Sequence, residues 1–128
     1  MYVGLEIVPT EKMAKLLSVC DLGVMPYKHM ENFYFSPLKM FDMIGAKLPF
    51  IGTSIGQIEE IVKKELNEYF LIEDSDGSSL AKKIIELSDD ENKYIKMKKD
   101  LTLRAHNHTW DCRAQILVSW MEEILAKN

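Results

Sequence analysis

Lys39 and Asp42 stand three positions apart in Ser36-Pro37-Leu38-Lys39-Met40-Phe41-Asp42, and their chemistries suit a phosphate and a sugar hydroxyl. Ser36 is a good N-cap, and Pro37 would occupy the first helical position, where its missing N–H costs nothing. The N–H groups of Leu38 and Lys39 would then point out of the helix start, where partial positive charge gathers and anions bind. The Lys39 ammonium adds a full charge at that place. Asp42 follows one turn later on the same side, and its carboxylate accepts hydrogen bonds from hydroxyl groups. A ribose diphosphate presents that set of partners. Ser-Pro also opens ordinary helices, and Lys39 with Asp42 is also an ordinary i,i+3 surface pair. These seven residues alone leave both readings open.

Other reactive side chains point less clearly to a site. The run Arg104-Ala105-His106-Asn107-His108-Thr109-Trp110-Asp111-Cys112 places two His and a Cys close together, but a fourth local zinc ligand is missing and Thr109 suits the cap of a new helix. No metal is expected. Asp74-Ser75-Asp76-Gly77-Ser78 lacks the acidic twelfth residue of a calcium loop, where Ile85 stands, and is expected to be a turn and helix cap. Cys20 falls on an apolar helical stripe with Met13, Leu16 and Leu17, which predicts a small core residue. The basic run Lys93, Lys96, Lys98 and Lys99 is expected to be a solvated helix face.

The elements that must hold Lys39 and Asp42 can be laid out in chain order. Tyr2–Val8 alternates apolar and polar and predicts a strand. Thr10 is expected to cap the helix that follows. Leu22–Met25 is a short apolar strand that stops at Pro26-Tyr27. Lys28 to Phe35 form a loop beyond that strand's carboxyl end, where open parallel sheets bind ligands. The helix begun at Ser36 ends near Gly45-Ala46-Lys47, and Phe50–Gly52 is the next strand. Ile58, Ile61, Val62 and Leu66 mark a helix, and Tyr69–Ile72 a further strand. Leu80, Ile84 and Leu87 should face inward on one helix, and Tyr94, Met97, Leu101 and Ala105 on the next. Trp110, Ala114, Leu117, Met121 and Leu125 make one stripe on the last. Alternating strands and helices predict an α/β fold: a Rossmann-like parallel sheet of about four strands, flanking helices and a helical C-terminal end. The whole chain, 1–128, is one domain on this pattern.

The run from Ser36-Pro37-Leu38-Lys39-Met40-Phe41-Asp42 through Pro49-Phe50-Ile51-Gly52-Thr53 to Gly56-Gln57-Ile58-Glu59-Glu60 resembles the donor-binding segment of GT-B glycosyltransferases, particularly glycosyltransferase family 4 (group 1). Val8-Pro9, Leu16-Leu17-Ser18, Asp21, Pro26-Tyr27 and His108-Thr109-Trp110 fit the same family pattern. The resemblance implies a nucleotide-sugar donor as substrate, no separate cofactor, diphosphate binding by Ser36, Leu38 and Lys39, and ribose binding by Asp42. Tyr27, Glu31 and Phe33 are the candidates for base or sugar contact. One feature departs from the pattern. The family's first acidic residue falls on Tyr34, which has no carboxylate, and Glu31 stands out of register. The resemblance further implies a strand order 3-2-1-4-5-6 whose strands 1 and 2 are absent, with Tyr2–Val8 as strand 3. An exposed strand edge and self-association would follow. The acceptor-binding N-terminal domain would also be missing or carried on another chain. In the family the last helix crosses back toward that domain, and the usual His base comes from it, so no catalytic residue is assigned here.

Composition bounds the remainder. The 128 residues are 47% apolar and 28% charged with a net charge of −4, which argues against a broad nucleic-acid surface. No apolar run approaches the ~18–20 residues of a membrane span. No signal peptide is expected, because Glu6 and Glu11 interrupt the N-terminus, and the two cysteines do not suggest a disulfide framework. A cytoplasmic protein is therefore expected, peripheral to the membrane in a full-length enzyme. Two function classes stand: the donor-binding part of a glycosyltransferase, inactive alone, or a small nucleotide- or phosphate-binding or interaction module without transferase activity.

Overall fold

A computed structural model of the chain describes residues 8–32 and 36–127. Its strands are β1 (Gly23–Met25), β2 (Phe50–Thr53) and β3 (Leu71–Ile72), paired in parallel in the order β1-β2-β3. Its helices are α1 (Thr10–Ser18), α2 (Leu38–Gly45), α3 (Gly56–Glu65), α4 (Gly77–Asp89), α5 (Glu91–Arg104) and α6 (Trp110–Ala126). This is a partial Rossmann-like domain. The expected strand Tyr2–Val8 lies outside the described residues except for Val8, which is not in a strand. The three strands that are described take the expected order.

Register explains how the helices seat. Residues paired across parallel strands share a face of the sheet, so Gly23 and Phe50 lie on one face with Met25 and Gly52. A Cβ at Gly23 would lie 2.6 Å from Met43 Sδ, and one at Gly52 would lie 3.0 Å from Ile58 Cγ2. The two glycines therefore let α2 and α3 press against that face. Met40, Ile44, Phe50, Ile58, Val62, Phe70, Met97 and Leu101 are fully buried between them and the later helices. The Phe50 and Phe70 rings meet at 4.9 Å, tilted by 53°, a favoured aromatic geometry. Tyr94 reaches back from α5, its hydroxyl donating to the Asp21 carbonyl at 2.8 Å.

Among the described residues, side-chain caps open three of the six helices. Asp76 accepts from the N–H groups of Ser78 and Ser79, Asp90 from that of Lys93, and Thr109 from that of Cys112. The end of α2 closes with the Leu48 N–H on the Met43 carbonyl at 2.9 Å and the Lys47 N–H on the Ile44 carbonyl at 3.0 Å. Lys47 takes φ 56° there, a left-handed position usually given to glycine.

Several expectations are corrected. Thr10 is the first residue of α1 and Pro9 its N-cap, because the Pro9 carbonyl takes the N–H groups of Lys12 and Met13. Cys20 is exposed, its thiol donating to the Leu16 carbonyl at 3.2 Å: it lies past the end of α1, where the helical stripe no longer turns it inward. The strand expected at Tyr69–Ile72 is shorter, since Glu68–Phe70 form a 3-10 turn tied by the Asn67 side chain accepting from the Tyr69 N–H. Ile84 is half turned to solvent at 38% exposure, and only Leu87 of α4 is fully in the core. The largest departure is α6. None of its residues is buried, and Trp110 at 90% and Leu125 at 72% are nearly free of the domain.

Candidate functional site

Loop contacts draw the carboxyl ends of the strands together. Beyond β2 the Ser54 N–H donates to the Ile72 carbonyl of β3 at 2.8 Å. Beyond β1 the loop turns back, and His29 Nε2 donates to the Glu73 carbonyl at 2.8 Å. That bond places the imidazole hydrogen on Nε2 and ties the loop to the end of β3. Glu59, on the first turns of α3, is held below the usual carboxylate range chiefly by its bond to the Lys63 ammonium.

The lead-in to α2 differs from the expected cap. Pro37 is the N-cap, with ψ 78°, and its carbonyl accepts from the Met40 N–H at 2.9 Å. Ser36 makes no cap bond. Its hydroxyl donates instead to Gln57 Oε1 on α3 at 2.8 Å. The Leu38 N–H is also spent, on the Ser36 carbonyl at 2.9 Å. Pro37, with ψ 78°, stands outside helical geometry, so α2 starts one residue later than expected and the Ser36 side chain reaches Gln57 on α3 instead of the helix start. What remains for an anion at this helix start is the Lys39 ammonium and the positive end of the helix.

Lys39 and Asp42 are both exposed on α2. Asp42 lines a cleft of about 470 Å³ between α1 and α2, with Thr10, Met13, Leu17, Ser18, Phe41 and Gly45 among its walls. Lys39 does not line that cleft. Its walls are mainly apolar, with Asp42 as the one carboxylate among them. Tyr27 is partly buried and packs against the core, while Glu31 lies exposed in the turn after it. Phe33 and Tyr34 lie outside the described residues.

Two residues to which the sequence gave no role at this site complete the surroundings. His108 Nε2 stands 2.9 Å from Glu65 Oε2, and its ring lies 5.3 Å from that of Phe41, next to Asp42. Gln57 is the other. A Gln on a helix start gives no signal in the sequence, because its partner is 21 residues away. Among the described residues no cluster of His, Cys, Asp or Glu could hold a metal ion. No helix among them is long and apolar enough to cross a membrane.

The three-stranded parallel sheet with its flanking helices is a partial Rossmann-like domain, and it carries a lysine near the start of α2 and a carboxylate one turn on. The sequence comparison agrees at the level of family. The model of the glycosyl transferases group 1 matches residues 3–90, and the chain belongs to that family. Among curated proteins it is similar to the putative teichuronic acid biosynthesis glycosyltransferase TuaH of Bacillus subtilis (strain 168), 28% identical over 98 residues. That match takes in 75% of this chain and 24% of the relative, so the matched stretch spans about a quarter of the relative's length. No solved structure gives a significant match.

Proposed function

We propose that this chain is the donor-binding part of a glycosyltransferase that moves a sugar from a nucleotide-sugar donor to an acceptor hydroxyl. The observation that carries the reading is Asp42 on the wall of the α1–α2 cleft, one turn from Lys39 at the start of α2. The nucleoside lies in the cleft, with Asp42 accepting from the ribose hydroxyls. The diphosphate extends toward the helix start and Lys39. Tyr27, Glu31 and Phe33 remain the candidates for contact with the base or sugar.

In transfer, the bond from the sugar's anomeric carbon to the diphosphate breaks as the acceptor oxygen bonds that carbon. Negative charge builds on the leaving diphosphate, and a fixed ammonium with a helix dipole stabilises it in place. Lys39 has that role here. Ser36 and Leu38 stand beside it as the further diphosphate-binding candidates at this helix start. The base and the acceptor pocket belong to residues outside this segment, on the same polypeptide or a partner chain. The apolar side of α6 is where that remainder packs. The 128 residues alone carry no transferase activity on this reading, and the protein works in the cytoplasm, at the membrane surface in its full-length form.

The test is Lys39→Ala in a longer enzyme that contains this segment. Its kcat/KM for the nucleotide sugar should fall by an amount worth roughly 2–4 kcal/mol, the scale of removing one charge-stabilising group. Donor kinetics unchanged in that variant would overturn the assignment.

A further inference from the structure

Two lysines of the basic run on α5, Lys93 and Lys96, lie over one tyrosine. Lys93 Nζ stands 4.9 Å and Lys96 Nζ 5.3 Å from the centre of the Tyr69 ring, and Lys83 Nζ of α4 stands 6.0 Å from it. A phenol ring attracts a cation to its face, but three ammoniums around one ring also repel one another. Their surroundings do not neutralise them in full. Glu86 bonds both Lys83 and Lys93, and Asp90, which also caps α5, stands 4.0 Å from Lys93. Lys96 has no carboxylate partner among the described residues. Three cations thus face two carboxylates, one of them at the limit of ion-pair reach, in a chain whose net charge is −4. Two of the three are also held in place, since the Lys83 and Lys93 side chains are only 17% and 19% exposed. The Tyr69 ring packs against the core, and its hydroxyl makes no hydrogen bond among the described residues.

We propose that Tyr69, Lys83, Lys93 and Lys96 form a binding site for a phosphate group. The phosphate oxygens accept from the unpaired Lys96 ammonium and from the Tyr69 hydroxyl, the two donors that the protein leaves unused. Its negative charge offsets the excess that Glu86 and Asp90 leave on the three lysines. Lysine serves a phosphate as a point charge with rotatable donors, so the site needs no planar fork. Glu68–Phe70 precede β3, which puts the site at the amino end of that strand. None of its residues lines the α1–α2 cleft, and the proposal takes nothing from the donor reading. A free phosphate or phosphate ester and the headgroup of an acidic phospholipid offer the same chemistry, and the test separates them.

The experiment adds inorganic phosphate to the 128-residue chain and follows the Tyr69 ring and the lysine ε-methylene signals by ¹H–¹³C NMR. Sodium chloride holds the ionic strength fixed, so screening does not change during the titration. Saturable shifts should appear at Tyr69, Lys93 and Lys96, and chloride alone should not reproduce them. Lys96→Gln should weaken phosphate binding about tenfold or more, the scale of losing one bond to a charged group. Tyr69→Phe keeps the packed ring, removes the hydroxyl and should weaken binding as well. Lys98→Gln removes an ammonium that stands 5.4 Å from a different ring, that of Tyr94, and should leave binding unchanged. Flotation with phosphatidylcholine vesicles, with and without phosphatidic acid, separates the two sources. Capture by the acidic vesicles that Lys96→Gln abolishes identifies a lipid headgroup; phosphate binding without vesicle capture identifies a free phosphate or phosphate ester. The proposal is overturned by an absence of saturable shifts at Tyr69, by shifts that chloride matches, by Tyr69→Phe binding as tightly as the parent, or by equal losses in Lys96→Gln and Lys98→Gln.

Discussion

The Ser36 hydroxyl donates to the Gln57 side-chain oxygen at 2.8 Å, joining the lead-in of α2 to the first turn of α3. Ser36 thereby fixes where α2 begins from outside the helix instead of capping it. Removing either partner should cost about 0.5–1.5 kcal/mol. Ser36→Ala and Gln57→Ala should also be strongly non-additive, with the double variant no less stable than the weaker single one. Urea unfolding of the three variants measures this. Fully additive losses would mean that Ser36 stabilises the helix start independently of Gln57.

Asp76 gives the fold a pH dependence. Its carboxylate is held below its ordinary range, first by the Ser79 hydroxyl and then by the Ser79 and Ser78 N–H groups of α4. A depressed folded-state value means a contribution that is present above the unfolded carboxylate range and is lost as pH falls through the folded value. The melting temperature of Asp76→Ala should therefore lie below that of the parent at neutral pH, and the gap should close in strong acid. A gap that is constant from neutral to strongly acidic pH would show that the charge of Asp76 contributes nothing.

The side of β1 away from β2 makes a third expectation. Among the described residues β1 pairs with β2 alone. The Gly23 N–H donates inward to the Pro49 carbonyl at 2.8 Å, so the alternation of a parallel ladder turns the Val24 N–H to the side away from β2. We expect the isolated chain to be marginal as a monomer and to associate through that edge, with a melting temperature that rises with protein concentration and Val24 amide protection that rises with it. A sharply cooperative melt independent of concentration, with residues 2–8 protected in a monomer, would contradict marginal stability and leave the first strand paired directly beside β1.

Much of this architecture was legible because it is local. Helical apolar spacing located Ile58, Ile61 and Val62 and also Met97 and Leu101, all of which are buried. Cap chemistry located the helix start within Asp74-Ser75-Asp76-Gly77-Ser78, where Asp76 is the cap, and the cap at Thr109. The errors lie where distant partners decide. Ser36 has the composition of a cap, but its acceptor sits on another helix. Tyr69 and Phe70 look like strand residues, but the Asn67 side chain turns them into a 3-10 turn. The stripe on α6 has core spacing and no core to meet, because periodicity gives the face of a helix and not what covers it. At the site, residue types placed Lys39 and Asp42 on one helix, while the α1–α2 cleft that only Asp42 lines needed the fold.

The claim at the centre of this account is that α2 holds the diphosphate and ribose of a sugar nucleotide. It is tested most directly by titrating the ¹⁵N-labelled chain with uridine, guanosine and adenosine diphosphates and following its amides. We predict saturable shifts for at least one of the three, concentrated at Lys39, Asp42 and the cleft residues Thr10, Met13 and Leu17, and strongly weakened in Lys39→Ala. Absence of saturable shifts there with all three nucleotides, or identical binding by Lys39→Ala, would contradict it.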